Sequence, residues 1–355
     1  MNNMKTVSPH SRKKFLVLTM AVMCMAVTCT AIASPVQAVT FRIATLSPGG
    51  SFWMKTFNEA TDKISEKTEG RVEFKVFPGG VMGSEQVVLR KMRIGQLQGA
   101  AISSGALYNF YPELSLYSVP FLFNSRAQVD HVREKLDDTI KEKATEEGYV
   151  VPAIVGNGFA YVMSQKSVRE FTDLKDRKVW VPDSDQQTAE NLRELGLNPI
   201  PLSIGDVLMG LETGLIDTIA SPPVVAIALQ WHTRISHILK LPLMPIHGAV
   251  VLDKRVFDKL SDGDKKIVMT HLKTAGDKIE ARNWQDNKQA LKALEKQGVT
   301  VIEPTPEERE SWQTTEEKAK KQALDSSKIK QSLLQKVQQY AEAFSETSAS
   351  DSGAE

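Results

Sequence analysis

The chain has 355 residues, 41% hydrophobic and 25% charged, with 44 basic and 43 acidic side chains and a formal net charge of +1. That length suits one two-lobed protein or two ordinary domains, and the composition is that of a globular chain with its own core rather than a disordered one. No basic excess is present to hold a phosphate backbone, which excludes nucleic-acid binding as its main task.

Lys5, Arg12, Lys13 and Lys14 form a basic leader with no acidic residue, and residues 15–33 follow as an uncharged, mostly apolar run. The run closes on Ser34-Pro35-Val36-Gln37-Ala38, with small or aliphatic residues at the two positions that signal peptidase reads. The pattern predicts a cleaved secretory signal peptide over residues 1–38 and a periplasmic mature protein. A membrane anchor is the alternative, since the run is nearly long enough to span a bilayer; Pro35 and the Val36-x-Ala38 ending argue for cleavage. Both cysteines, Cys24 and Cys29, fall inside the leader, and Thr28 is a poor residue before a lipidated cysteine. The mature chain therefore has no thiol for catalysis, metal binding or disulfide formation. Without the leader it carries 40 basic and 43 acidic residues, formally −3. No later segment is long and apolar enough to span a membrane.

Residues 39–46 alternate and read as the opening strand, followed by the turn Ser47-Pro48-Gly49-Gly50. Ser51 caps a helix to about residue 67, with Phe52, Trp53, Phe57, Ala60 and Ile64 at helical spacing. Residues 71–77 form a second strand, 84–94 a helix and 98–102 a short buried strand, with Ser103-Ser104-Gly105 just past its end. The order β-α-β-α-β predicts a parallel sheet covered by helices. After the apolar knot Val119-Pro120-Phe121-Leu122-Phe123 come a helix at 126–147 and a strand at 150–156. Gly156-Asn157-Gly158 is a candidate hinge.

Residues 178–181, 198–202 and 217–220 read as strands separated by helices at 185–195 and up to Gly214, the latter with Ser203 and Asp206 as a capping box. This second series predicts a second lobe. Residues 261–297 are helical throughout, opened by a capping box of Ser261 and Asp264 and stopped by Gly298, with Gly276 as a possible bend. About 36 residues at 1.5 Å each give roughly 54 Å, longer than one lobe, so this helix is expected to lie across both. A strand at 299–302 and further helices to about Phe344 follow, then a small, polar tail at 345–355 that is expected to be disordered.

Several stretches are shared with one family: Pro78-Gly79-Gly80-Val81-Met82-Gly83-Ser84-Glu85, Pro112-Glu113-Leu114, Pro120-Phe121-Leu122-Phe123, Gly158-Phe159, Asp173-Leu174-Lys175-Asp176-Arg177-Lys178 and Leu211-Glu212-Thr213-Gly214-Leu215-Ile216-Asp217. In this order and at these separations, over roughly residues 41–260, the chain resembles the solute-binding subunit of a TRAP (tripartite ATP-independent periplasmic) transporter, DctP type. The resemblance implies an α/β, two-lobed periplasmic binding protein of type II-like fold, with a long helix spanning both lobes. Ligand is held in the cleft, the lobes close by a hinge, and the loaded receptor docks on permease subunits driven by an ion gradient. Lobe I would be 39–158 plus about 249–275. Lobe II would be 159–248 plus about 276–344, with crossings near Asn157 and Gly248.

The chain departs from the family at the ligand. The family's usual carboxylate-binding arginine in K-I-R-V is replaced by Trp180 in Lys178-Val179-Trp180-Val181, and a second arginine, after the Gly-Phe pair, by Ala160. The Glu-Asn-Pro of the later loop is Ala220-Ser221-Pro222. A buried carboxylate without a cation costs several kcal/mol, so the expected ligand is neutral, aromatic or hydrophobic rather than a simple carboxylate. A cationic ligand with Glu85 or Asp183 as counter-charge is the second option. Trp180 is equally consistent with a core residue of a buried strand, and Arg177, on the opposite face, could substitute for the missing arginine. Strand ends, where open α/β sheets bind ligands, add Ser47, Ser104, Asn157, Asp183 and Ser221. Trp53 and Tyr108 are candidate aromatic walls and His247 lies near the second crossing. Trp231, His232 and the Pro120–Phe123 knot read as packing.

No G-x-S-x-G elbow, H-E-x-x-H or P-loop is present, and His232 and His237 are off metal-ligand spacing on a helix. Neither enzyme chemistry, nor a cofactor, nor a metal is expected. A monomer with a small-molecule ligand and permease partners is the expected state. The alternatives are presentation of the ligand to a membrane sensor kinase, or carriage of a lipid-like molecule in a larger apolar cavity.

Overall fold

A computed structural model describes residues 38–108 and 111–352; the expected signal peptide up to residue 37, with both cysteines, and the last three residues lie outside them. In chain order the main elements are β1 (Val39–Thr45), α1 (Phe52–Lys67), β2 (Val72–Phe77), α2 (Glu85–Arg93), β3 (Gly99–Ser103), α3 (Arg126–Glu146), β4 (Tyr149–Ser164), β5 (Lys178–Pro182), α4 (Gln186–Glu194), β6 (Asn198–Leu202), α5 (Val207–Thr213), β7 (Thr218–Ser221), α6 (Pro223–Ala228), β8 (His237–Leu239), β9 (Met244–Asp253), α7 (Asp262–Lys296), β10 (Thr300–Ile302), α8 (Pro306–Asp325) and α9 (Gln331–Ser352).

The strands form one sheet in the order β2-β1-β3-β9-β4-β7-β5-β6, with β8 and β10 attached beside β4. The parallel arrangement expected from the β-α-β series holds for β2-β1-β3 and for β6-β5-β7. Between the two groups it does not hold, because β9 runs antiparallel to both β3 and β4, and β4 antiparallel to β7. The sequence reading placed no strand at 244–253. This segment is buried on both faces through Ala249, Val250, Val251 and Leu252, so it lacks the alternation that marks a half-exposed strand.

β4 is also longer than the stretch read from sequence. It passes through the Gly156-Asn157-Gly158 joint and pairs with β9 on both sides of it. The register shifts between Gly156 and Gly158, leaving Asn157 as the extra residue of a bulge beside the pair Gly156–His247. β9 and β4 thus stand between the two parallel groups of strands, and the bulge lies on β4.

α7 is one unbroken helix of 35 residues. Ser261 caps it by accepting from the Asp264 amide at 3.1 Å, while the Asp264 carboxylate pairs with Arg71 at 3.0 Å. α7 packs on α1 and β4 at one end and on α6 and β10 at the other. At Gly276 the helix continues unbroken, and a Cβ there would stand 2.5 Å from that of Ala153, so the glycine permits helix and strand to touch. In α1, Ser51 caps as expected, but Phe52 points outward beneath Arg282 and Lys278 instead of joining the apolar face. Ser203 and Asp206 bond to each other through their side chains rather than forming the expected capping box, and α5 starts only at Val207.

The apolar cores lie on either side of the sheet. In the first lobe, α3 and the segment 112–118 pack on one face and α1 with α7 on the other. In the second, one cluster gathers around Trp180 and Trp231, another around Trp312. α9, expected with lobe II, packs instead on α3 of the first lobe through Leu333, Leu334, Val337 and Ala341. Its backbone stays helical to Ser352, past the end at Phe344 read from sequence, since extending an existing helix through Ser, Thr and Ala costs little. Among the described residues no helix is long and apolar enough to cross a membrane.

Candidate ligand-binding site

A cavity of about 520 Å³ opens where the strand ends of the two lobes face each other across β4 and β9. Trp53, Ser47, Glu85, Ser104, Asn157, Trp180, Ser221 and His247 all line it, as does Tyr108. Ala160 and Asp183 do not. Ala160 is wholly buried inside β4 opposite Met244, so its methyl group reaches no free space. Asp183 lies beyond β5, where its carbonyl accepts from the Gln86 side chain of α2 at 2.8 Å.

Each lining residue is fixed by local chemistry. Ser103 ends β3 and Ser104 opens a single helical turn, which the Ser103 hydroxyl oxygen caps by accepting from the Ala106 amide. Glu85 opens α2 and ties it to that strand end. Its carboxylate accepts from the Ser103 amide at 2.6 Å and from the Ser103 hydroxyl at 2.7 Å. Burial raises the Glu85 pKa, and the two Ser103 hydrogen bonds oppose that rise. Trp53 stacks on Phe57 at 4.8 Å. Ser221 bonds to the following carbonyl of Pro222.

Trp180 unites the two roles open to it. It sits in the middle of β5 at 8% exposure, its ring edge against Trp231 at 5.2 Å and its indole N–H donating to the Leu202 carbonyl at 3.0 Å. The polar atom is spent inside the lobe, and the part of the ring that borders the cavity is hydrocarbon. Trp231, read as packing, is indeed buried and also lines the cavity. So do Val119, Pro120 and Phe121 of the apolar knot, whose Leu122 and Phe123 pack into the first-lobe core instead.

Some lining residues carried no recognisable sequence signal. Asp185 looked only like the start of a helix. Its carboxylate accepts from the Thr188 amide and hydroxyl at 3.0 and 2.7 Å, lies beside Gly105 of the other lobe, and is pushed upward in pKa by burial. Trp312, far along the chain on α8, reaches the wall while its indole N–H donates to Arg169. Distance in sequence hides such residues; only the fold returns α8 to the second lobe.

The charge pattern of the wall is one-sided. Its ionisable groups include the carboxylates of Glu85 and Asp185, and no lysine or arginine of the described residues lines it. Arg177 stays outside. Arg133 is near the hinge but is consumed, with Asp137 at 3.1 Å, Glu280 at 2.6 Å and the Ile154 carbonyl at 2.8 Å. His247 is buried with its ring tilted at 53° against Tyr117, centroids 5.4 Å apart, and neither of its ring nitrogens has a partner among the described residues. Burial, with the Arg133 charge adding to it, pushes its pKa down to about 3, so the ring is neutral.

The model of the DctP family, bacterial extracellular solute-binding protein family 7, matches residues 43–327. The chain belongs to this family. It is a TRAP solute-binding subunit, and the family is one of receptors rather than of enzymes. The 2,3-diketo-L-gulonate-binding periplasmic protein YiaO of Escherichia coli K12 is 28% identical over 254 residues, 70% of this chain and 75% of YiaO. Among solved structures, a TRAP periplasmic solute-binding protein from Xanthobacter autotrophicus Py2 with bound β-D-galacturonate superposes with a TM-score of 0.77 at 22% identity. It covers 85% of this chain and 99% of its own. One from Desulfovibrio salexigens with bound orotic acid gives 0.78 at 21% identity, covering 86% and 99%. These likenesses establish the two-lobed solute-binding fold for this DctP member.

Proposed function

We propose that the protein is exported to the periplasm, captures a small organic molecule in the cavity between its lobes, and delivers it as a monomer to the permease subunits of a TRAP system. The lobes would be residues 39–158 with about 249–275, and 159–248 with the later part of α7 and α8. α9 belongs with the first lobe. The ligand is uncharged, aromatic or largely apolar, not a simple carboxylate.

One observation carries the ligand class: among the described residues the wall has carboxylates and no lysine or arginine. The ligands named for the relatives above are acids, and an acid buried here would lack the guanidinium partner that makes such burial affordable. The cavity volume suits a small organic ligand. Ser104 and Asn157 on its wall favour a molecule with some polar groups over a lipid. Glu85 and Asp185 support a second reading, an organic cation whose charge would offset the burial that raises both carboxyl pKa values.

A thermal-shift screen of the mature chain tests this, using succinate, D-galacturonate, benzamide, acetophenone and benzylamine. A ligand at about 100 times its dissociation constant adds roughly 2.7 kcal/mol of stability, a shift of a few degrees. The expected result is a shift with a neutral aromatic compound; benzylamine alone would select the cationic reading. The largest shift coming from succinate or galacturonate overturns the ligand class. Delivery to a permease, as against a sensor kinase, is tested by co-purification with membrane subunits encoded beside the gene.

A further inference from the structure

The bulge on β4 carries an amide whose orientation can be deduced. The Gly156 carbonyl can only accept, and the Asn283 side chain of α7 lies 3.1 Å from it, so the Asn283 atom there is its nitrogen. That same nitrogen is 3.0 Å from one terminal atom of Asn157, which must therefore be the oxygen. The other terminal atom of Asn157 is its NH2. It makes no hydrogen bond within the described residues, is not enclosed, and belongs to a residue that lines the cavity. Asn287, one turn further along α7, closes the assignment. It donates to the carbonyls of Asn157 and Asn283 at 2.7 and 2.9 Å and accepts from the Val224 amide at 3.0 Å.

Two further polar groups line the same cavity. His247 is in register with Gly156, buried, and unpartnered at both ring nitrogens; the Ser118 hydroxyl is also unpartnered, and both residues line the cavity. An unpartnered buried polar group costs about 1–3 kcal/mol, which a ligand group that completes its hydrogen bonds would recover.

We infer that Asn157, His247 and Ser118 form a neutral polar subsite at the strand crossing that receives an uncharged carbonyl oxygen of the ligand, with Asn283 as the positioning residue that aims the Asn157 NH2 into the cavity. The Asn157 NH2 donates to that oxygen, while the neutral imidazole offers one donor and one acceptor to the same group or to a neighbouring hydroxyl or N–H. A carboxylate is a poorer fit, since Glu280 stands behind the bulge accepting from the Gly156 amide at 3.0 Å, and the adjacent Arg133 is already paired. The subsite rests on the ligand class proposed above, but the orientation of the amide does not.

Two measurements test it. The first needs no ligand: side-chain amide hydrogen exchange by NMR. The Asn157 NH2 is expected to exchange at least about tenfold faster than those of Asn283 and Asn287, both of which donate to carbonyls. Protection of Asn157 with free exchange at Asn283 overturns the orientation. The second compares acetophenone with ethylbenzene by calorimetry. The ketone is expected to bind at least about tenfold more tightly, and Asn157→Ala and Asn283→Ala are each expected to cut that ratio to about threefold or less while leaving ethylbenzene unchanged. Equal binding of the two probes, a ratio that survives both substitutions, or no binding of either probe overturns the subsite. A strong response to succinate with the amide exchange as expected would instead overturn the ligand class alone.

Discussion

Two parts of the cavity wall are built on opposite principles. At the strand crossing, backbone and side-chain polar groups converge: the Asn157 bulge, Glu280, Asn283 and Asn287 of α7, and the unpartnered His247. At the second-lobe wall, Trp180 and Trp231 meet edge to face, and the Trp180 N–H is already satisfied by Leu202. The crossing offers unspent hydrogen bonds and the Trp180 wall offers shape. A ligand that uses both must carry a polar end toward the hinge and an apolar body toward β5. In the proposed receptor, binding at the crossing would touch the strand proposed as the hinge and so couple recognition to closure.

The largest effect is expected on the apolar side. Trp180→Ala removes a ring packed against Trp231 and Ile200 within one core cluster and should destabilise the protein by about 3–5 kcal/mol. Urea unfolding measures this, and a loss under about 1 kcal/mol would show that the ring is wall and not core.

Next comes the hinge. Gly158 has φ +100°, and a Cβ on it would stand 2.3 Å from the Asn287 amide nitrogen. Gly158→Ala should cost about 2 kcal/mol or more and displace Asn287 from the Asn157 carbonyl. Small-angle scattering with and without ligand should show reduced closure; unchanged stability and closure would mean that the bulge relaxes freely.

The smallest effect at neutral pH, and the most specific, concerns His247. Its pKa is about 3 when folded, against about 6.5 in an unfolded chain. Between these values the unfolded chain binds more protons, so the stability that the neutral imidazole contributes is present above pH 6.5 and is lost as pH falls toward 3. The groups facing the ring are Tyr117, Arg133 and Asp137. His247→Gln should leave the melting temperature at pH 8 within a few degrees and flatten its decline between pH 6 and pH 4 (the acid limb). An unchanged acid limb would place the titration elsewhere.

Much of the architecture was legible because local physics wrote it. Ser51 and Ser261 accept the capping bonds of their helices, and α7 has nearly the limits its unbroken pattern implied. β9 was not legible, although it is the strand that joins the lobes. A strand buried on both faces has no alternation to read, and Pro245 and Gly248 interrupt the apolar run. The site was legible where strand ends or turn residues marked it, as at Ser104, Asn157 and Ser221. It was not legible at Asp185 or Trp312, whose places on the wall come from segments distant in sequence. The two site candidates off the wall, Ala160 and Asp183, failed by direction: a residue on the right strand still faces only one side of it.

By itself the sequence determined most of the helices and strands, the Ser51 and Ser261 caps, the two-lobed α/β class and the absence of arginine at Trp180 and Ala160. These follow from spacing along the chain, which short-range sterics and hydrogen bonding convert directly into elements. Only the tertiary structure decided that β9 runs antiparallel through the centre, that α9 folds back onto the first lobe, that Arg133 is spent on Asp137 and Glu280, and that the Asn157 NH2 faces the cavity. Each of these depends on which distant groups meet, and burial of apolar surface together with the pairing of every buried polar atom settles that only once the whole chain is folded.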